Sequence, residues 1–168
     1  YAETNKFQAG CVLMFAGNMA LRLFDLTKDN EWLEKAYKSK VAAANMTQDE
    51  NVVFCAKSHS FAGDVAEKLF DETGDPNWET MAYMQIKLSA EISEKEDIYL
   101  CAKQHFYAGN VSTKLFIIKD EDFWAEKAIK HYEDSVKFFR RIGKKGTKEK
   151  INEASKEIKK LRRLIKKC

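Results

Sequence analysis

The chain has 168 residues, is 45% hydrophobic and 33% charged, carries a net charge of +3, and contains one Pro and seven Gly. So few turn residues exclude a β-rich fold of this length and favour helix, while the length suffices for one domain with a core of its own. No apolar run approaches the ~20 residues of a membrane span, and no signal-peptide pattern is visible.

The first predicted helix carries Phe15-Ala16-Gly17-Asn18 and Leu23-Phe24, and a turn at Lys28-Asp29-Asn30 leads into a second helix with Trp32 and Ala36. The same order returns as Phe61-Ala62-Gly63-Asp64, Leu69-Phe70, Trp78 and Ala82. It returns again as Tyr107-Ala108-Gly109-Asn110, Leu115-Phe116, Trp124 and Ala128. Each step is 46 residues without a gap. A period in this range signals a solenoid or array. The expected repeats are 3–48, 49–94 and 95–140.

The second copy shows why each repeat is two helices. Val52, Cys55, Ala56, His59, Ala62, Gly63, Ala66, Leu69 and Phe70 recur at spacings of three and four, which is one helical face. Gly74 is placed to stop that helix. Asp75-Pro76 restarts the chain with an N-cap and a first-turn proline. Gly17, Gly63 and Gly109 sit mid-helix, where Gly costs about 1 kcal/mol against Ala. A cost paid three times predicts a close approach of the partner helix, with Ala36, Ala82 and Ala128 facing the glycines.

Gly followed by Ala across a helical hairpin resembles the tetratricopeptide (TPR) superfamily, over residues 5–139. The usual repeat there is 34 residues, so each copy here is longer. The long-helix SNAP-type adaptors resemble it more closely. The resemblance implies an all-α, right-handed α-α superhelix: three hairpins and a capping helix, seven helices in one α-solenoid domain over 1–168.

Residues 140–168 hold thirteen Lys/Arg against three Glu, a net +10, whereas residues 1–139 hold sixteen basic and twenty-three acidic residues, a net −7. Within the tail, Ile151, Ala154, Ile158, Leu161 and Leu164-Ile165 form a narrow apolar stripe, which predicts a polar-faced capping helix over 147–168.

The resemblance further implies a binding face lined by the first helix of each copy. Counted from the glycines, the columns are Arg22, Lys68 and Lys114; Cys11, Lys57 and Lys103; and Asn18, Asp64 and Asn110. The expected partner-binding set is Asn18, Arg22, Lys57, Asp64, Lys68, Lys103, Asn110 and Lys114. Basic columns flanking an amide column suit a peptide or protein carrying an acidic group or a C-terminal carboxylate. The function expected is a non-catalytic adaptor or scaffold, with no small-molecule substrate and no cofactor.

Three other readings stand beside it. Eleven Lys/Arg between 144 and 167 suit contact with a membrane surface or a nucleic acid. An open end at Phe7 or Val12 suits homodimerisation. Cys55, His59, Cys101 and His105 lie at four-residue spacing on two equivalent helices, a zinc-like set. The corresponding positions of the first copy are Ala9 and Leu13, which favours core over metal. No phosphate loop or nucleophile elbow is present. His131, the third histidine, is expected on a helix surface. The cysteines Cys11, Cys55, Cys101 and Cys168 are scattered, three of them in apolar helical pattern, as expected of buried thiols in a reducing cytoplasm.

Overall fold

A computed structural model describes residues 5–143 and 147–165. They form seven helices: α1 (Lys6–Thr27), α2 (Asn30–Thr47), α3 (Val52–Thr73), α4 (Pro76–Ser93), α5 (Ile98–Lys119), α6 (Asp122–Ile142) and α7 (Lys148–Ile165). No strand occurs among the described residues. The chain divides into two compact units, Tyr1–Ile92 and Ser93–Cys168. The division falls at the boundary between the second and third copies.

The caps repeat with the sequence. Asn5, Asn51 and Asp97 each accept a hydrogen bond from the backbone N–H three residues on, at Gln8, Phe54 and Leu100. This satisfies one of the unpaired donors at each helix start. Asp29 and Asp75 cap α2 and α4 by accepting from the N–H two residues on, at Glu31 and Asn77. Glu121, the longer side chain at the third equivalent position, makes no cap bond. The first helix of every copy ends on a left-handed residue: Lys28 at φ 58°, Gly74 at φ 69° and Asp120 at φ 53°. Only Gly adopts that conformation freely.

In the first unit, Ala20 and Phe24 of α1, Leu33 and Ala36 of α2, and Val65 and Leu69 of α3 form one buried cluster, against which Trp32, Tyr37 and Trp78 pack. The glycines behave as the repeat implies. A Cβ on Gly17 would lie 3.3 Å from the Ala36 carbonyl oxygen and 3.1 Å from Lys40 Cγ. On Gly63 it would lie 3.5 Å from the Ala82 carbonyl oxygen and 2.5 Å from Ile86 Cγ1. The residue four after each Ala therefore fills the space that the Gly leaves.

In the second unit, a Cβ on Gly109 would meet the Tyr132 ring at 2.7 Å. Helix α7 lies on α6: Ala154 and Leu161 are buried, and Ile151, Ile158 and Ile165 pack against the cluster containing Val136, Phe138 and Phe139. Leu164, expected in the same stripe, is 41% exposed.

Two expectations need correction. α1 is long and apolar enough to cross a membrane by length and composition, with an 18-residue window of mean hydropathy 1.4. Its Ala, Cys, Val, Leu, Met and Phe raise the average, although Gly, Asn, Gln and Arg interrupt any unbroken run of large aliphatics. It packs on α2 through Gly10 and Gly17, and its Val12 and Phe15 are 67% and 66% exposed. His131 is not on a surface; it is buried at 7% exposure in α6.

Candidate functional site

The residues expected to bind a partner are divided between the units. Asn18 and Arg22 stand on α1, and Lys57, Asp64 and Lys68 on α3, in the first. Lys103, Asn110 and Lys114 stand on α5, in the second.

In the first unit, α1 and α3 run side by side and leave a groove of about 370 Å³. Asn18 and Asp25 line it from α1, and Phe61, Asp64 and Lys68 from α3; Leu21 and Val65 add apolar surface. Lys40 of α2 also lines it. The groove thus gathers Asn18, Asp64 and Lys68 of the expected set, while Arg22 and Lys57 are exposed outside it. Lys68 is tied down: its Nζ is 3.1 Å from an Asp25 carboxylate oxygen and 4.5 Å from the Phe24 ring centre.

Lys40 is the residue that the reading by faces missed. It is 2% exposed. Its Nζ donates to Asn18 Oδ1 at 2.8 Å and to Met14 Sδ at 3.4 Å, and lies 5.2 Å from the Phe61 ring centre. Burial pushes its pKa below the ordinary lysine value, and the negative charge of Asp64 opposes that shift. The signal was present in the repeat: the equivalent positions are Ile86 and Tyr132. A charge where the other copies carry packing residues marks a site at which the first copy departs from the common core.

The amide column proves to be local to each hairpin in two copies. Asn18 accepts from Lys40, and Asn110 Oδ1 accepts from the Tyr132 hydroxyl at 2.8 Å. Lys103 lies 5.9 Å from the ring centres of both Tyr99 and Tyr107, beside a small cavity of about 60 Å³.

The cysteine–histidine pairs are engaged otherwise. His59 Nδ1 is 2.7 Å from Gln85 Oε1, which requires the ring to donate, and Gln85 Nε2 donates to the Tyr37 hydroxyl at 3.3 Å. Burial lowers the His59 pKa, opposed by the Gln85 bond. At the equivalent place in the second unit, His105 Nδ1 lies 3.0 Å from His131 Nδ1, and Phe138 stacks on His105. That bond needs one ring as donor and one as neutral acceptor. Burial raises the Cys55 pKa. It pushes Cys101 up to about 12, with Glu94, Asp134 and Asp97 adding to the shift. Thiols held neutral are poor metal ligands. No group of three or more His, Cys, Asp or Glu poised for a metal ion occurs among the described residues.

On α6 and α7, Lys137, Arg140, Lys159 and Arg162 line a groove of about 350 Å³, in which Arg162 is paired with Glu133. Lys156, Lys160 and Arg163 extend the basic surface along α7. Lys144, Lys145, Lys166 and Lys167 of the expected basic stretch lie outside the described residues.

No protein-family model and no curated protein matches the sequence. Among solved structures, the chain is similar to the DHF79 filament (TM-score 0.59, 12% identity, 95% of this chain and 88% of that one covered). It is similar to the DHF58 filament at TM-score 0.59 and 13% identity, covering 96% of each chain. It is also similar to the de novo designed helical repeat protein DHR64, at TM-score 0.52 and 13% identity, covering 97% of each. The chain has a helical-repeat fold. At 12–13% identity the likeness is one of fold alone.

Proposed function

We propose that the chain is a non-catalytic, TPR-like scaffold that binds a peptide or protein partner in the α1–α3 groove of its first unit. The observation that carries this is the groove itself. It is a concave strip where two parallel-running helices leave room for an extended ligand, with Phe61 at 47% exposure as an apolar anchor and charges of both signs around it. The SNAP-type relationship and a cytoplasmic setting belong to the same reading; the buried, neutral thiols of Cys55 and Cys101 support a reducing compartment. The test is capture of partners by the wild-type chain and by Phe61→Ala/Lys68→Glu, with helicity and melting monitored for both. Loss of the captured partners with an unchanged melt supports the groove. Capture that is indifferent to the double substitution sinks it.

A second reading rests on the basic surface of α7. Lys156, Lys159, Lys160 and Arg163 converge there beside the half-exposed Leu164, which suits an anionic membrane or nucleic acid. That reading demands binding that weakens steeply with salt and is lost when these four residues become Gln.

A further inference from the structure

Helix α1 has one apolar flank open to solvent. Ala9, Val12, Ala16, Met19, Leu23 and Leu26 alternate along it at spacings of three and four, the seam by which two helices pack as a coiled coil. Val12, Met19 and Leu26 are 67%, 39% and 82% exposed, and Ala16 is exposed with them. The second copy shows what such a flank receives. There the equivalents of the first five, Cys55, Ser58, Ala62, Val65 and Leu69, are all buried, and Val65 and Leu69 pack on Ala20, Phe24, Leu33 and Ala36 of α1 and α2. On α3 the flank is covered by helices; on α1 it is bare. Exposure has not made it polar. Where α3 has Lys57, Asp64 and Glu72, α1 has Cys11, Asn18 and Leu26, and the only charged residues of α1 are Lys6, Arg22 and Asp25. A solvated solenoid face carries the opposite pattern. Phe7 is not part of the seam; it packs edge-on to Phe54 at 5.3 Å between centres.

We propose that this flank docks on a second copy of the chain, the two α1 helices pairing antiparallel across a two-fold axis. The seam is complementary to itself in size. Antiparallel pairing centred between Ala16 and Met19 sets Ala9 against Leu26 of the second copy, Val12 against Leu23 and Ala16 against Met19, each smaller side chain opposite a larger one. A parallel pair would set Ala9 on Ala9 and Ala16 on Ala16 and leave gaps, which close packing disfavours. Charge agrees with size. No seam position is charged, so this pairing strips no ion of its water, whereas docking on α7 would press apolar side chains onto Lys156, Lys159, Lys160 and Arg163. The 22 residues of α1 span ~33 Å. A strip about 10 Å wide along that length covers on the order of 300–400 Å² a side, short of the ~800 Å² of a standard interface. The dimer is therefore one that forms and parts with concentration. Asn18, Leu21 and Asp25, which line the α1–α3 groove, stand on a different face of α1, so the inference does not depend on that groove's holding a peptide.

The test is sedimentation equilibrium of the whole chain over a wide range of concentration. The average mass should rise from 19.4 kDa to twice that value and stop there. Ala16→Glu/Met19→Glu places like charges across the central layer and should weaken association at least about ten-fold. Ala16→Glu/Met19→Lys places opposite charges across the same layer only if the helices run antiparallel, and should recover most of that loss. Both pairs of substitutions fall on exposed positions, so helicity and melting should match the wild type. Phe61→Ala/Lys68→Glu, which alters the groove, should dimerise as the wild type does, so the two readings fail separately. The proposal is overturned by a wild-type chain that stays at 19.4 kDa throughout, including one that instead floats with vesicles of neutral lipid, which would make lipid the occupant. It is equally overturned by mass that climbs past the dimer, by a Glu/Glu variant that associates like wild type, or by a Glu/Lys variant as weak as the Glu/Glu one.

Discussion

Replacing each mid-helix glycine by alanine turns the repeat into its own experiment. Ala gains about 1 kcal/mol of helix propensity over Gly at all three positions, so the differences among them come from the neighbour the new methyl meets. At Gly109 it would stand 2.7 Å from Tyr132 Cδ1 and Cε1 and 3.0 Å from Cγ, well inside the ~3.5 Å at which carbon atoms touch. The ring cannot swing away cheaply: it is 2% exposed, its hydroxyl bonds Asn110 at 2.8 Å, and Phe106 packs edge-on at 5.7 Å between centres. Overpacking of this kind costs roughly 1–3 kcal/mol, and a ring so fixed puts this site at the upper end, so Gly109→Ala should be destabilising by up to about 2 kcal/mol net. Gly63→Ala, with Ile86 Cγ1 at 2.5 Å, should behave similarly. Gly17→Ala meets Lys40 Cγ at 3.1 Å and the Ala36 carbonyl oxygen at 3.3 Å, contacts that need only a few tenths of an ångström of give and that offset the propensity gain, so its net change should lie within about 0.5 kcal/mol of zero. Urea unfolding of the three single variants, followed by circular dichroism and tryptophan fluorescence, measures the order. A Gly109→Ala chain as stable as wild type would refute close approach as the reason for the glycines. Partial rescue by Tyr132→Leu would identify the ring as the obstacle.

Lys28→Gly should stabilise the first unit by about 1 kcal/mol, because Lys28 holds φ 58° where the second copy uses Gly74; an unchanged urea midpoint would contradict it. His59 has a folded pKa below its unfolded value of about 6.5. The unfolded chain therefore binds its proton first, and stability should fall as pH drops below ~6.5. Installing the first copy's pair with His59→Leu/Gln85→Ser should flatten that part of the acid limb in pH-dependent unfolding. The folded pKa of Cys101 is raised to about 12, so its contribution is complete below the unfolded value of about 8.5 and is lost as pH rises from there towards 12; Cys101→Ala should remove that share of the alkaline loss. Leu161→Ala, at 1% exposure on the buried side of α7, should cost about 2–5 kcal/mol, whereas Leu164→Ala, at 41% exposure, should cost under about 0.5 kcal/mol by the same melts.

Much of this architecture is legible in the chain because repetition averages away noise. Position 28, 74 or 120 read alone is a Lys, a Gly or an Asp; read together, with Asp29, Asp75 and Glu121 following, they are one helix stop and one helix start. The glycine contacts were legible for the same reason. The groove was only half legible. Asn18, Asp64 and Lys68 follow from counting along the first helices, but Lys40 reaches the groove from the second helix, and no count along one element reveals that. His131 was misread because its role is set by His105 across the hairpin. Its equivalent, Gln85, pairs with His59 in the same way, and only the facing of two helices makes either pair visible. Leu164 shares the spacing of the α7 stripe yet stands at its edge, a matter of a small rotation about the helix axis.

Those interhelical pairs have a consequence for how the chain finds its own partners. Three near-copies in one sequence invite a first helix to dock on the wrong second helix, since the glycines, alanines and tryptophans are the same in each. The buried polar positions are not the same. One hairpin carries Leu13 and Ser39, the next His59 and Gln85, the last His105 and His131. An α1 docked on α4 would set Leu13 against Gln85 and leave the amide without His59, a loss of roughly 1–3 kcal/mol for a buried polar group left unsatisfied. Each hairpin thus carries its own key. The chain with His59→Leu/Gln85→Ser, in which two hairpins share one key, should refold with more exchanged dimer, visible as a second peak in size exclusion.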